Sequence, residues 1–416
     1  MKFVDLFAGG GGLSEGFIQE GYEPVAHVEA DVAACNTLRT RLAYHWFVAA
    51  GRRDLYEDYL TGGIDRDKMY AEVPQRVVRS VINDEIQPDT LARIYCEIDS
   101  LLEGRKLDLL LGGPPCQAYS IVGRSRDPDG MVEDKRNYLY ECYASFLDKY
   151  RPKRFVFENV MGLLSARDSN GRLYFDAMRQ RFSDLGYETA FSTLNAKDYG
   201  VLQNRKRVIL VGHCGDAATM NPEPERWTPR VTVSEIFQDL PPLSAGEGDI
   251  TPCRRLACES RWQVKAGVGS PLPATWHQAR PHTARDLEIY RIAVTEWNER
   301  QSRLRYGDLP RRLKTHSNET AFVDRFKVVA ADLPFAHTVV AHICKDGHYY
   351  IHPDIDQNRS ITPREAARLQ TFPDDYYFEG VRKRPSRTHA FRQIGNAVPV
   401  LLSRGIASRI RHNWDG

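Results

Sequence analysis

At 416 residues, with 42% hydrophobic and 27% charged side chains, the chain is long enough for two domains and has the composition of a soluble globular protein. It contains no run of about 18 apolar residues, so no membrane span is expected. Its net charge of +2 hides an asymmetry: residues 251–330 carry 15 Lys and Arg against 8 Asp and Glu, giving +7, and the rest of the chain is at −5. A basic block in a mildly acidic protein suggests that one region meets a polyanion, the alternative being a solvated basic face.

The first residues, MKFVDLFAGG, lack the charged region and long apolar core of a signal peptide, and a cytoplasmic protein is expected. Eight cysteines (35, 96, 116, 142, 214, 253, 258 and 344) form no CxxC pair, which speaks for reduced thiols and against a zinc ribbon or a thioredoxin-type site.

Lys2–Leu6 reads as a short strand, followed by Ala8-Gly9-Gly10-Gly11-Gly12 and a helix that begins at Leu13. A glycine-rich turn between strand and helix lets a ligand approach the backbone with N–H groups aimed at it. The spacing is not GxGxxG and no Lys follows, so an adenosine-type ligand fits better than a dinucleotide. Pro24–Val28 reads as the second strand, and Glu29 follows Gly9 by 20 residues, where an acid accepts hydrogen bonds from a ribose diol. Asp31 is placed to cap a helix running to about Phe47. Residues 48–76 read as a polar, helical insertion with no assignable role. Val77–Ile82 reads as a third strand whose ligand-facing end lies near Asn83-Asp84. Over 89–103 the spacing of Leu91, Ile94, Ile98, Leu101 and Leu102 predicts an amphipathic helix, stopped by Gly104.

Asp108–Leu111 reads as the end of a buried strand. Gly112-Gly113-Pro114-Pro115 stop it and hold Cys116 on a rigid turn at the strand's C-terminal end, where open α/β sheets bind ligands. For Cys116 alone, a small buried hydrophobe is an equally ordinary reading. The polar stretch 118–135 has the character of a lid. A helix over 136–150 leads to a fifth strand, Arg154–Asn159, with Glu158 at its C-terminal end. After a helix over 172–185 come strands at Tyr187–Leu194 and Arg207–Gly212, and Gln203-x-Arg205-x-Arg207 puts three side chains on one face of an extended segment. Arginine there suits carbonyl or phosphate oxygens. From about 215 the strand–helix alternation breaks, and proline-rich stretches with the basic block mark a second domain. His337–Cys344 and His348–Ile351, either side of Asp346-Gly347, read as a β-hairpin. Thr362-Pro363-Arg364-Glu365 is a capping box with Pro at the first helical position. Gln393–Pro399 leads into a final amphipathic helix.

Six stretches, in the order DLFAGGGGLSEGF, GGPPCQAYS, FENV, QNRKR, RSITPREAARLQTFPD and QIGNAVP, resemble the motifs of the bacterial DNA (cytosine-5)-methyltransferases, from residue 3 to about 403. GPPCQ also separates the chain from amino-methylating enzymes, which need no cysteine here. The resemblance implies an α/β fold of the Rossmann-like, S-adenosylmethionine-dependent methyltransferase type: a mixed sheet with helices on both faces, plus a smaller, mainly β or irregular target-recognition domain. The expected division is a catalytic and cofactor-binding domain over 1–215, the small domain over 216–384, and a C-terminal segment, 385–416, returning to the first. It further implies S-adenosylmethionine as cofactor with S-adenosylhomocysteine as product, no metal, double-stranded DNA as partner, no membrane, a monomer, and scope for a separately encoded restriction endonuclease. Use at the nucleoid follows from the substrate.

By the same resemblance Cys116 is the nucleophile, Glu158 the acid, and Arg207, supported by Arg205, holds the target base. The cofactor site is assigned to Phe7, Ala8, Gly9, Gly10, Gly11, Gly12, Leu13, Glu29, Ala30, Asp84, Pro115, Asn396 and Val398. DNA contacts are assigned to Gln117, Ser120, Gln203, Arg280, Arg285, Arg303, Arg305, Arg311, Arg312 and Lys314. The chain departs from the family at Ala30, where an adenine-stacking aromatic is expected, around Asp84, where an Asp-Ile signature is blurred, and in the insertion. The implied chemistry is addition of a Cys116 thiolate to cytosine C6, because C5 is too weak a nucleophile until the ring's aromaticity is broken. Glu158 at ring N3 drains charge from C6, and Arg207, supported by Arg205, holds O2. Such a base must first leave the stack, at a cost of a few kcal/mol. Two rivals stay open: an RNA methyltransferase on the same scaffold, disfavoured by the long segment between QNRKR and the last motifs, and a catalytically silent DNA-binding homologue, disfavoured by the intact Cys116, Glu158, Arg205 and Arg207.

Overall fold

The computed structural model describes residues 1–115, 139–215, 221–257, 259–318, 322–383 and 385–414. Cys116, Gln117, Ser120 and the stretch 118–135 expected as a lid lie outside the described residues. The chain opens with strand β1 (Lys2–Leu6), helix α1 (Gly12–Gln19), strand β2 (Glu23–Glu29) and helix α2 (Val32–Ala49). Asp31 caps α2 as expected, its side chain accepting from Ala34 N at 2.9 Å. The insertion is helical: α3 (Arg53–Thr61), α4 (Arg66–Ala71) and α5 (Gln75–Arg79). The third strand is shorter than Val77–Ile82. Residues 75–79 continue as helix against α2, and only β3 (Val81–Asn83) pairs, with His27–Glu29.

Helix α6 (Leu91–Leu102) buries Ile94, Ile98 and Leu102, whereas Leu91 and Leu101 stay at the half-buried margin. Then follow β4 (Leu109–Gly112), α7 (Leu139–Tyr150), β5 (Arg154–Asn159), α8 (Tyr174–Asp184), β6 (Glu188–Asn195) and β7 (Lys206–His213). The seven strands form one sheet in the order β3-β2-β1-β4-β5-β7-β6. The first five are parallel, and β7 enters antiparallel between β5 and β6. Parallel strands buried on both faces are continuous apolar runs, and β4 has no exposed residue. Side-chain alternation sorts them into two layers. Phe3, Leu109, Leu111, Val156 and Ile209 face one core, and Val4, Leu6, Leu110, Phe155 and Leu210 the other.

The apolar packing does not change at residue 216. Val233, Ile236, Trp262, Trp276, Phe372 and Tyr376 belong to the same cluster as Phe3 and Leu109. The separate core lies further on, where Ile289, Tyr290, Val294, Leu304, Tyr306 and Phe326 pack together. Strand content after β7 is small. The described residues give a two-residue ladder, β8 (Gly248–Asp249) with β9 (His277–Gln278), beside helices α9 (Arg261–Ala266) and α10 (Ala284–Arg300), so this region is irregular and helical rather than mainly β.

The expected hairpin at 337–351 is absent, and the reason is where its backbone bonds go. Val339 N donates to Gln203 Oε1 at 2.9 Å, Val339 O accepts from Arg205 at 2.6 Å, and the Tyr350 hydroxyl bridges Val340 N and Thr338 O. Side chains have taken the groups that a strand partner would use.

The capping box at Thr362 opens α11 (Pro363–Leu369) as expected, with Thr362 Oγ1 accepting from Glu365 N and Glu365 Oε2 from Thr362 N. Arg368 pairs at 2.7 Å with Asp374 and also with Asp239, while Arg359 pairs at 2.7 Å with Glu365, all essentially unexposed. The chain ends in α12 (Arg387–Asn396) and α13 (Val400–His412). Helix α13 lies on α1 so closely that a Cβ at Gly16 would overlap Arg404 N and stand 2.6 Å from Ser403 Cβ. Gly16→Ala is therefore expected to lower stability by about 1–3 kcal/mol, read as a lower urea midpoint with an unchanged m-value.

Candidate active site

The C-terminal ends of the parallel strands meet at one edge of the sheet, where doubly wound folds hold ligands. A cavity of about 840 Å³ opens there. From β1 and the turn after it come Asp5, Phe7, Ala8, Gly9, Gly10, Gly12 and Leu13; from the end of β2 come Glu29 and Ala30. Asp84 and Ile86 flank these, and Pro115, Glu158, Arg207, Asn396 and Val398 complete the expected set.

The turn is shaped by backbone that only some residues tolerate. Gly9 has φ of 55° and Gly11 of 81°, and Phe7 also sits at φ 57°. A Cβ on Gly9 would meet nothing within 4 Å, so that face of the turn is open. Gly11 faces the other way: its Cβ would stand 2.5 Å from Tyr376 Oη and 2.8 Å from Leu38. Gly11 is thus a packing glycine, and it does not line the cavity as Gly9, Gly10 and Gly12 do. The Glu29 carboxylate accepts from Gly9 N and Asp31 N, each at 2.8 Å, which fixes it across the mouth of the turn, and burial pushes its pKa up. Asp84 is gripped by Arg93 through two bonds of 2.7 Å.

On the far side of the cavity Glu158 Oε1 lies 2.7 Å from Arg207 Nε, the two side chains 14% and 12% exposed. Antiparallel β5 and β7 put these two residues on neighbouring strands, one from each. Gly113 makes room for the acid: a Cβ there would stand 2.7 Å from Glu158 Oε2. Asn159 Nδ2 donates to Pro114 O at 3.3 Å and ties the Pro-Pro turn to β5. Pro115, which precedes Cys116 in the sequence, lies in the cavity wall.

Gln203 and Arg205 do not join Arg207. Gln203 is unexposed and donates to Leu369 O at 2.8 Å; Arg205, equally unexposed, donates to Val339 O and to the carbonyls of Gly395 and Ala397. Both hold the C-terminal segments against β7, so Gln203 is not placed for the expected DNA contact, and Arg205 is placed for support rather than in the cavity lining. Arg280 is likewise spent on the carbonyls of Ile343, Cys344 and Lys345; Arg312 pairs with Glu288 at 2.6 Å on the exposed surface, and Lys314 donates to Gly307 O at 2.7 Å. Arg285, Arg303, Arg305 and Arg311 are exposed.

Sequence reasoning passed over Asp5. It is 1% exposed, lines the cavity, and its Oδ2 has no hydrogen-bond partner. The signal was an acid set between Val4 and Leu6 in a short buried strand. Burial raises its pKa to about 8 against an opposing hydrogen bond from Ser14, with Glu29 and Glu158 adding repulsion. His389 and Arg392, lying seven and four residues before Asn396 in the last turns before Ala397, were also passed over.

The family model for C-5 cytosine-specific DNA methylases matches residues 1–52 and 87–412. The chain belongs to this family. The methyltransferase is 40% identical over 454 residues to the type II methyltransferase M.Bpa9945I of Bacillus paralicheniformis, covering 100% of both chains. It is 30% identical over 423 residues to M.DdeI of Desulfomicrobium norvegicum, covering 99% of this chain and 88% of that one. Among solved structures it resembles the Entamoeba histolytica methyltransferase EhMeth, with a TM-score of 0.54 at 12% identity over 100% of this chain and 99% of that chain. Among the described residues of the methyltransferase, no helix is long and apolar enough to cross a membrane.

Asp5 gives a pH test. Its folded pKa of about 8 lies above the unfolded value of 3.8, so between these the folded state holds the extra proton and stability falls as pH rises. Asp5→Asn removes that linkage. Its thermal midpoint is expected to fall less than that of the parent chain between pH 5 and 8, about the window set by the two pKa values; parallel slopes in a calorimetric pH series would refute the assignment.

Proposed function

We propose that this methyltransferase transfers a methyl group from S-adenosylmethionine to C5 of a flipped-out cytosine in a short double-stranded DNA sequence, through a bond between Cys116 and C6. The observation that carries the reading is the 2.7 Å pairing of Glu158 with Arg207 in the same cavity as the glycine turn, one residue short of the cysteine. The donor set suits the cofactor. Glu29 keeps lone pairs free for a ribose diol, the open face at Gly9 admits a ligand against the backbone, and Phe7 and Ile86 offer apolar walls where Ala30 gives none. When bound, the cofactor supplies an electrophilic methyl group and leaves as S-adenosylhomocysteine.

The protein's part is activation of the base. The Cys116 thiolate forms a bond to C6, the electron pair moves to C5, and C5 takes the methyl group. Glu158 holds N3 and Arg207 the base oxygen, so that negative charge gathering on the ring during addition meets fixed partners. Loss of the C5 proton to water and elimination of Cys116 then restore the aromatic ring. Arg205 acts indirectly in this scheme, by seating the segment from Gly395 to Ala397 beside the cavity.

Duplex DNA is read by the unit around α10, whose exposed Arg285, Arg303, Arg305 and Arg311 are free to meet phosphates or guanine edges. The type II names of the relatives point to a restriction–modification role, with an endonuclease encoded separately and the methyltransferase acting as a monomer. Methyl transfer to duplex DNA but not to tRNA, followed by methylome sequencing of an expressing host, tests the substrate class and identifies the site.

Cys116→Ser is expected to abolish transfer while keeping DNA and cofactor binding, since a hydroxyl is a far poorer nucleophile near neutral pH. Duplexes carrying 5-fluorocytosine at the target should trap a protein–DNA adduct visible on a denaturing gel. Turnover by the serine variant, or active enzyme without an adduct, would rule out the covalent route. Alanine at Arg285, Arg303, Arg305 or Arg311 should weaken binding to all DNA and flatten its salt dependence, or relax one position of the site by about 1–3 kcal/mol. Arg280→Ala should instead lower the thermal midpoint, because its bonds are internal; competition binding at several salt concentrations separates the two effects.

A further inference from the structure

The family model passes over residues 53–86, the stretch that holds the helices of the insertion. Their polar side chains do not simply face water. Tyr59 donates its hydroxyl to Glu379 Oε1, and Arg66 Nη1 reaches Glu379 Oε2 and Gly380 O at 3.4 and 3.2 Å. Tyr56 donates to Asp375 O at 2.8 Å, and Lys383 pairs with Asp65 and Asp67 at 3.0 and 2.7 Å. Glu379 itself has no exposure, and the whole stretch 371–380 is buried. An ionised carboxylate in such a place is tolerated when it is paired and hydrogen-bonded. The insertion supplies both, together with the Thr40 hydroxyl at 2.8 Å.

The stretch so held is the one that shapes the glycine turn. Tyr376 donates its hydroxyl to Gly10 O at 2.7 Å. Gln393 Nε2 donates to Glu379 O at 3.0 Å, and Gln393 Cβ lies 3.0 Å from where a Cβ on Gly10 would be. A second link runs through Asp375, which takes Arg41 Nη1 at 2.7 Å while Arg41 Nε donates to Glu15 in α1 at 3.0 Å. Two short paths thus join the insertion to the backbone on which the proposed cofactor lies.

We propose that the insertion is a brace for the cofactor loop, in which Tyr59 and Arg66 are positioning residues acting through Glu379 and Gln393 on Gly10. The inference rests on the S-adenosylmethionine reading above. The test uses full-length protein, with Tyr59→Phe alone and together with Arg66→Met, titrated calorimetrically with S-adenosylmethionine and with S-adenosylhomocysteine. The double variant is expected to bind both about tenfold more weakly, as the loss of ~1.4 kcal/mol would give, and the single variant less so. kcat at saturating cofactor and KM for DNA should stay within about twofold. Arg66→Lys with Tyr59 intact should recover most of the affinity. Met178→Ala, a buried α8 substitution on the opposite face of the sheet, serves as a control for general loss of stability. Wild-type affinity in the Tyr59 and Arg66 variants, or equal weakening by Met178→Ala at a matched thermal midpoint, overturns the brace. Failure of the unmodified protein to bind S-adenosylmethionine would overturn the cofactor reading itself, and the brace with it.

Discussion

The structure depends on the close seating of the chain's last segments on its first turn. A Cβ at Gly12 would overlap the carbonyl oxygen of Val398 and stand 2.9 Å from Ala397 Cβ, and one at Gly16 would overlap the backbone of α13. Ser403 donates its hydroxyl to Leu13 O across the same contact. Glycine at these positions is needed because another backbone occupies the space a side chain would take. The contact places Asn396 and Val398 in the wall of a cavity whose floor is β1, although they are nearly 400 residues away in sequence.

The same need recurs where the buried arginines stand. Arg364 gives its guanidinium to the carbonyls of Thr275, Pro373 and Tyr376, and Arg205 does so for Val339 and the residues before Val398. These segments are irregular, so their carbonyls have no ladder or helix to satisfy them, and a buried carbonyl without a donor is costly. Five donors in a rigid fork let one side chain satisfy several at once. The motif arginines around QNRKR and PREAARL therefore hold loops in place, and Arg207 is the member of QNRKR that turns into the cavity.

Acids are gathered at the sheet edge in a way that separates two tasks. Glu29 is fixed by two backbone N–H groups beside the glycine turn, Glu158 by a guanidinium across the cavity, and Asp5 lies between them with an unbonded oxygen. Parallel strands ending at one level bring these residues together, because each comes from a different strand or strand end. Repulsion between them is part of what raises the Asp5 pKa.

Much of this was legible in the chain alone. The apolar run at β4 marked a buried strand, the glycines marked the turn, and the spacing to Glu29 and the acid after FVF marked two positions on one sheet edge. Local rules also predicted the Asp31 cap and the Thr362 capping box, since both are settled within four residues of chain. Local rules failed where distant groups competed. Residues 337–351 have hairpin character, but Gln203 and Arg205 took their backbone bonds; Gln203 and Arg205 share a strand-like spacing with Arg207, but the segment bends them into the protein. The basic block could be counted but not sorted, because only folding decides that Arg280 meets three carbonyls while Arg303 meets solvent. By itself the sequence determined the order of the motifs and the candidates for chemistry that they carry. Tertiary structure decided which of them face the cavity, because burial makes every polar group find a partner and the partners come from elsewhere in the chain.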